Sequence, residues 1–277
     1  MDNYKILNFH AIFAENAFCL SQRLGIEIIS EFIPKEGYTY IIFGGHEQSH
    51  QLLTIQLRQR NFNYIIMNSE PPLSQFLKNK YYIYLMRSNV VFDYHKVSAE
   101  HLTTLGIRVL NQFIFEFTYS PGSIERDVDI MFIGSKTARR EAIYNSLKER
   151  YPDKKIIFHF DWGLTDQVAL TKELNRAKVL LNIPYHTHNI LETHRINKGL
   201  SCGCQVVSLY SGHKETDALY DKYVYFTHDL HEYFDTEQML PEHLIEKKEK
   251  YPALISELNK YTAQLQWILE QLNTVNV

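Results

Sequence analysis

Cysteine is scarce: Cys19, Cys202 and Cys204 are the only three in 277 residues. Three thiols build no paired framework, so a reducing, cytoplasmic compartment is expected. A surplus of charge of one sign is lacking as well. The formal net charge is −3, whereas a nucleic-acid binder carries a basic stripe, so no nucleic-acid partner is expected. No apolar run approaches the ~18 to 20 residues of a membrane span. No basic stretch followed by an apolar one opens the chain, so neither a transmembrane segment nor a signal peptide is expected. Low-complexity tracts and short repeats are missing too. What is present is aromatic: 19 Tyr and 16 Phe, enough for a sizeable core in one large or two ordinary domains.

Short apolar runs alternate with longer amphipathic ones. The segments 4–9, 26–30, 38–43, 63–68 and 89–94 read as strands, and 46–59 and 97–106 as helices. Such alternation predicts an α/β protein with a mainly parallel sheet. After "GIRVL" (106–110) the helical period is lost, and Pro121-Gly122 follows, which predicts a domain crossover. The alternation then restarts, with strands at 128–134, 154–160, 178–184, 205–210 and 222–227 and helices at 137–151, 165–177 and 190–202. Leu254, Leu258, Tyr261, Leu265, Ile268 and Leu272 recur every three or four residues, predicting one long C-terminal helix over 251–272.

Open parallel sheets bind ligands beyond the carboxyl ends of their strands, so the residues just after each strand are the candidates. "DIMFIG" ends in Gly134-Ser135, followed by Arg139 and Arg140 in the first turns of a helix. A helix start with a glycine before it suits phosphate oxygens, and arginines add charge-assisted bonds. The bland alternative is a turn followed by a solvated helix face. "NILETHRINKGLSCG" places Glu192, Arg195 and Lys198 at the next such entrance. There Glu192 is either the second member of a capping box begun by Asn189, or an acceptor for ligand hydroxyls. Glutamine also serves in a capping box, so Glu192→Gln is expected to keep a near-normal melting temperature while weakening donor affinity several-fold; a lowered melting temperature with wild-type affinity would mark Glu192 as a cap only. Gly199 and Gly203 are expected to let this helix lie close to its sheet.

In the first half, Gly44-Gly45 precedes His46 and Glu47 at a helix start, a candidate anion nest with a base or hydroxyl contact in His46. Glu70, after a strand and before two prolines, is a candidate acceptor contact or general base. Metal is not expected. His186-x-His188, with His194 beyond, lacks further ligands in a recognised spacing, and Cys202-x-Cys204 has no second pair. Asp127 and Asp129 resemble a metal-binding D-x-D, but they open a strand rather than close one, and read as polarity at its entrance.

Taken together, "DVDIMFIGSKTARREAIYNSL", "LNRAKVLLNIPYHTHNILETHRINKGLSCGCQVVS" and "DKYVYFTHDLHEYF" resemble the donor-binding half of GT-B-type glycosyltransferases, over roughly residues 125 to 235. The resemblance implies an α/β fold of two Rossmann-like domains facing across a cleft, here 1–118 and 119–277, the second including the long C-terminal helix. It implies a metal-independent hexosyl- or pentosyltransferase of glycan biosynthesis, with no cofactor beyond its nucleotide-sugar donor and with a glycan or glycoconjugate acceptor. By the same resemblance, Arg139 or Arg140 and Arg195 or Lys198 meet the diphosphate, and Glu192 meets the ribose or sugar hydroxyls. Gly134 and Ser135 line the same donor site; Glu70 and His46 are the candidate catalytic residues. One departure is plain: Lys198 stands where the family's second glutamate is expected. That departure favours an alternative, a transferase-like protein that binds without turnover. A metal-dependent hydrolase built on His186 and His188 ranks below both.

Overall fold

The structure, a computed structural model, describes residues 3–30, 35–46, 59, 63–88, 90–123, 125–160, 166–186, 190–236 and 247–275. The chain forms two compact units: Met1–Glu116 together with Glu257–Val277, and Phe117–Ser256.

The first unit holds a six-stranded sheet. Its strands are β1 (Tyr4–Asn8), β2 (Glu27–Ile29), β3 (Thr39–Phe43), β4 (Asn63–Asn68), β5 (Val90–Asp93) and β6 (Val109–Gln112), in the order β2-β1-β3-β4-β5-β6. Every pairing is parallel. Parallel strands buried on both faces need continuous apolar runs rather than alternation. "TYIIF" of β3 accordingly has no exposed residue, and β4 exposes only Asn63. Ile42, Tyr64, Ile66, Leu85, Met86 and Val91 centre the core on one face. The described helices are α1 (Ala14–Leu24), α2 (Lys80–Arg87) and α3 (Lys96–Thr104).

The second unit repeats the plan with β7 (Val128–Ile133), β8 (Ile156–His159), β9 (Ala177–Asn182), β10 (Gln205–Leu209) and β11 (Val224–Thr227), in the order β11-β10-β9-β7-β8. Its helices are α4 (Ala138–Arg150), α5 (Gln167–Leu174), α6 (Thr193–Ser201), α7 (Lys214–Tyr220) and α8 (Leu230–Asp235). Counted within its own unit, this sheet runs 2-1-3-4-5, the order of the first five strands of the other sheet. In each, the order reverses between the first and third strands, and the crevice there is where an open α/β sheet takes a ligand.

Ten strands fall where the sequence predicts them, within a residue or two; β6, in the run read as the start of the crossover, was not expected. Four helices escape the sequence reading for local reasons. α1 buries Asn16 and Ala17 rather than large apolar residues. α2, "KYYIYLMR", has a strand-like aromatic composition, yet Asn79 caps it and Tyr82, Leu85 and Met86 share its buried face. α7 and α8 are only two turns or less. The helix expected over 46–59 lies outside the described residues apart from its two ends.

The division expected at 118/119 falls at Glu116/Phe117, inside an extended run whose Phe113, Phe115 and Phe117 are all buried. The C-terminal helix α9 (Lys247–Val275) does not stay with the second domain; from Glu257 onward it belongs to the first unit. The buried Tyr4 hydroxyl donates to the Leu269 carbonyl at 2.8 Å, and Arg23 donates to Asn259 at 2.8 Å. Heptad-like spacing gives the apolar stripe of a helix but not the surface that covers it.

Gly199 does bring α6 onto the sheet. A Cβ there would collide with the Leu180 side chain of β9 and lie 3.2 Å from Val206 of β10. Gly203 has a different cause: its φ of +71° is left-handed and ends the helix, with its N–H bonded to the Leu200 carbonyl. Gly199→Ala is expected to lower stability by about 1 to 3 kcal/mol through overpacking. Urea unfolding checks this; an unchanged midpoint would show that Leu180 has room to yield.

Candidate functional site

At the β7/β9 reversal the sequence-nominated residues converge. β7 ends at Ile133, and Gly134-Ser135 leads to Thr137, whose hydroxyl caps α4 by accepting from the Arg140 amide at 3.1 Å. Arg140, in the first turn, folds back under the strand ends and is 1 % exposed. Its Nε and Nη2 donate to the Ile183 carbonyl beyond β9, at 3.1 and 2.6 Å, and its Nη1 donates to the Ser135 carbonyl at 2.9 Å. Arg195, from α6, crosses in the other direction. Its Nε donates to Ile133 at 2.8 Å and its Nη1 to the Asn182 side chain at 2.7 Å. Both guanidiniums lie over the Phe132 ring, 4.8 and 4.9 Å from its centroid.

Glu192 joins them. Its carboxylate is 3.3 Å from Arg140 Nη2 and 2.5 Å from Arg195 Nη1, and it accepts from the Tyr185 amide at 2.6 Å. Burial by itself raises the Glu192 carboxyl, but Arg195, Arg140 and the Tyr185 amide outweigh it and hold the group below its ordinary value. Arg140 is pulled down to about 10, by burial first and by Arg195 second. Two cations and one anion leave the cluster with one positive charge in excess, at the entrance of two helices.

The capping box is corrected here. Glu192 occupies the N-cap position of α6 itself and makes no side-chain cap bond, and Asn189 lies outside the described residues. The close approach that glycine was expected to offer a ligand at position 134 is taken by Arg195, whose Nη2 would lie 2.9 Å from a Cβ. Lys198 does not join the cluster: it donates to the Thr171 hydroxyl at 2.8 Å and sits over the Phe117 ring. Arg139 differs from Arg140. It is half-buried, and its Nη1 is buried with no hydrogen-bond partner among the described residues. Asn182 and Ser208, linked at 3.0 Å, extend the network to β10. Neither stands out in the sequence, because each is a polar residue within an apolar strand and reads as part of it.

At the β1/β3 reversal, Gly44 has φ +71°, and a Cβ on it would meet His10 at 2.9 Å. His46 and Glu70, nominated separately, are brought together: His46 Nε2 is 3.3 Å from Glu70 Oε1. The other carboxylate oxygen accepts from the Ser74 hydroxyl at 2.5 Å. His46 is enclosed, 7 % exposed, against Phe76, Phe13 and Tyr82. The wetter member of the pair is Glu70. Below it lies Asp93, the last residue of β5, fully buried and pushed up to about 7 by that burial despite hydrogen bonds that oppose it. Asp93 and Asn68 were missed for the same reason as Asn182: each closes an apolar strand.

The metal candidates disperse. Asp127 pairs with Lys155 and Arg176, and Asp129 with Lys178, at the amino end of β7. His186 packs its ring on Tyr185, and His188 lies outside the described residues. Among the described residues no cluster of three His, Cys, Asp or Glu side chains is arranged to hold a metal ion. No described helix is long and apolar enough to cross a membrane.

Two parallel sheets of this order give the chain a GT-B-like α/β fold, as comparison with solved structures shows. Among solved structures, Anabaena Alr3699/HepE in complex with UDP-glucose matches 98 % of this chain and 99 % of its own, at 11 % identity and a TM-score of 0.57. HepE with UDP and glucose matches at 12 % identity and a TM-score of 0.56, over 99 % and 100 % of the two chains. A variant of S. aureus TarM, in complex with fondaparinux, α-GlcNAc-glycerol and UDP, matches 87 % of this chain and 56 % of its own, at 12 % identity and a TM-score of 0.56. At such identities the likeness is one of fold. No protein-family model and no curated protein sequence matches the chain.

The ion triad makes Glu192 structural whatever else it touches. Glu192→Gln is expected to cost about 2 to 3 kcal/mol, less than the ~3 to 5 of breaking a fully buried pair, because the amide keeps one acceptor. The near-normal melting temperature expected of Glu192→Gln is therefore revised downward. The sign with pH follows from the lowered carboxyl: below its ordinary 4.5 the unfolded chain takes up the proton first, so wild-type stability falls on acidification. Chemical denaturation from pH 6 to pH 3 should show a shallower fall in the glutamine variant. Parallel curves would mean that the triad adds nothing.

Proposed function

We propose that this chain moves a sugar from a nucleotide-diphosphate sugar to a hydroxyl acceptor on a glycan or glycoconjugate, without a metal. The observation that carries the reading is the Arg140–Glu192–Arg195 triad with its surplus positive charge at the β7/β9 reversal. The UDP and UDP-glucose in the HepE structures support a donor of this class.

In this reading Arg140 and Arg195 shape the floor, anchored by bonds to Ile183, Ser135, Ile133 and Asn182. Arg139, with a buried donor still unmatched, supplies the direct phosphate contact, together with the amides at the start of α4. As the anomeric C–O bond breaks, negative charge grows on the departing diphosphate. Donors already in place stabilise that state more than the ground state. Glu70 receives the acceptor's proton, with His46 and Ser74 holding its carboxylate. Lys198, in place of the family's second glutamate and turned to Thr171, is the one observation that favours a binder without turnover.

A thermal-shift panel of UDP, GDP, CDP and dTDP sugars tests the reading. A matching donor at a hundred times its Kd should add about 2.7 kcal/mol. No shift with any of them would overturn the donor assignment, and a shift without release of nucleotide in an acceptor assay would leave the binder. Arg139→Ala should keep the fold and weaken nucleoside diphosphate binding by about 1.5 to 3 kcal/mol. Isothermal titration that finds wild-type affinity would remove Arg139 from the site.

A further inference from the structure

A buried polar ring surrounds the peptide of Glu70. Asn68, the last residue of β4, faces Asp93, the last residue of β5, across one register step of the sheet. Both are fully buried. The Asn68 side chain donates from Nδ2 to Asp93 Oδ2 at 2.7 Å and to the Glu70 carbonyl at 3.0 Å. Its Oδ1 accepts from the Glu70 amide at 3.2 Å and from the Tyr82 hydroxyl at 2.8 Å. Each end of the amide therefore has two partners of the correct kind, and a flip would mismatch both the carbonyl and the amide of Glu70.

Asp93 is held just as firmly. Its Oδ2 also accepts from the Ser98 hydroxyl at 2.8 Å, and its Oδ1 accepts from the His95 amide at 2.8 Å. Ser98 in turn stands 3.4 Å from the Glu70 carbonyl. Burying a carboxyl and a carboxamide side by side costs free energy unless every lone pair and proton is matched. Core packing would be met more simply by apolar residues at two strand ends inside the sheet. The bonds converge instead on one exposed-edge peptide, the one whose side chain reaches His46.

We propose that Asp93 is a positioning residue, which through Asn68 and Ser98 clamps the Glu70 peptide and so aims the Glu70 carboxylate at its reacting partner. The inference rests on the reading of Glu70 as the acceptor-side base. The clamp itself is independent of that reading. Glu70 leaves β4 on a loop where His46 and Ser74 hold only the carboxylate end, and general-base catalysis demands hydrogen-bond reach to the proton removed. Asp93 accomplishes this from the interior: its carboxylate bonds to Asn68, Ser98 and the backbone of Tyr94 and His95.

Two variants of the full chain test it. Asp93→Asn sets an amide where donors converge, and Ser98→Ala removes one arm of the clamp with little change in volume. Hydrogen exchange at residues 69–74 should speed up at least tenfold in both, with exchange in the second unit unchanged. Turnover should lose at least tenfold in kcat in Asp93→Asn, while donor affinity, read by titration with the matching nucleoside diphosphate, stays within twofold. A general structural role would instead lower stability throughout and leave kcat of the folded fraction alone. Wild-type exchange over 69–74 in both variants overturns the clamp. Faster exchange with an unchanged kcat overturns its role in positioning. If the wild-type chain transfers no sugar at all, the failure is that of the proposed function, and the exchange data still decide the clamp.

Discussion

Glu192 stands between Arg140 and Arg195, and the edge of the second unit at the β7/β9 reversal depends on that bridge. Two guanidiniums under the ends of β7 and β9 would repel each other and forfeit hydration; a single carboxylate accepting from both makes their burial tolerable. The arginines then spend their remaining donors on the Ile133, Ser135 and Ile183 carbonyls, groups that no strand pairs once the ladder has ended. The same bonds that balance the charge therefore terminate the strands and set the start of α4 beside that of α6. Phe132, with a guanidinium over its ring on each account, spaces them.

The first unit uses the same strand order with opposite electrostatics. Its carboxylates, Glu70 after β4 and Asp93 closing β5, stand at strand ends beyond the β1/β3 reversal, where the second unit gathers guanidiniums at the reversal itself. An excess of positive charge suits an anionic diphosphate, and a carboxylate in contact with an imidazole suits the removal of a hydroxyl proton. One backbone plan thus provides two crevices whose chemistry differs because the residues ending the strands differ. The Asn68–Asp93 pair and the Asn182–Ser208 pair play matching parts, each tying neighbouring strand ends beneath the residues nearer the surface.

Much of the candidate site was visible in the sequence as a set of addresses. Arg139, Arg140, Glu192 and Arg195 were picked out by their place after strands, and His46 and Glu70 by the same rule. Their relations were not visible. Arg139 and Arg140 are adjacent and chemically alike, yet a helix turns neighbours about 100° apart, so one points into the core and the other retains an unmatched donor. Lys198 belongs by sequence to the same charged run as Glu192 and Arg195, but its ammonium goes to Thr171. Asp93, Asn68 and Asn182 escaped because each closes an apolar run and reads as part of the strand.

By itself the sequence determined the alternation of strands and helices, the two sheets in series, and the long final helix. Those follow from the local periodicity of apolar residues, which a strand or helix obeys whatever surrounds it. Tertiary structure alone decided that the last part of that helix belongs with the first unit, since the Tyr4 hydroxyl and Arg23 find their partners on it. It decided as well that Glu192 is an ion bridge and not a helix cap, and that His46 meets Glu70. Apart from the i,i+3 contact of Glu192 with Arg195, such pairings join residues 24 to more than 200 positions apart, and their free energy exists only after the sheet has brought the strand ends side by side. No local pattern encodes it.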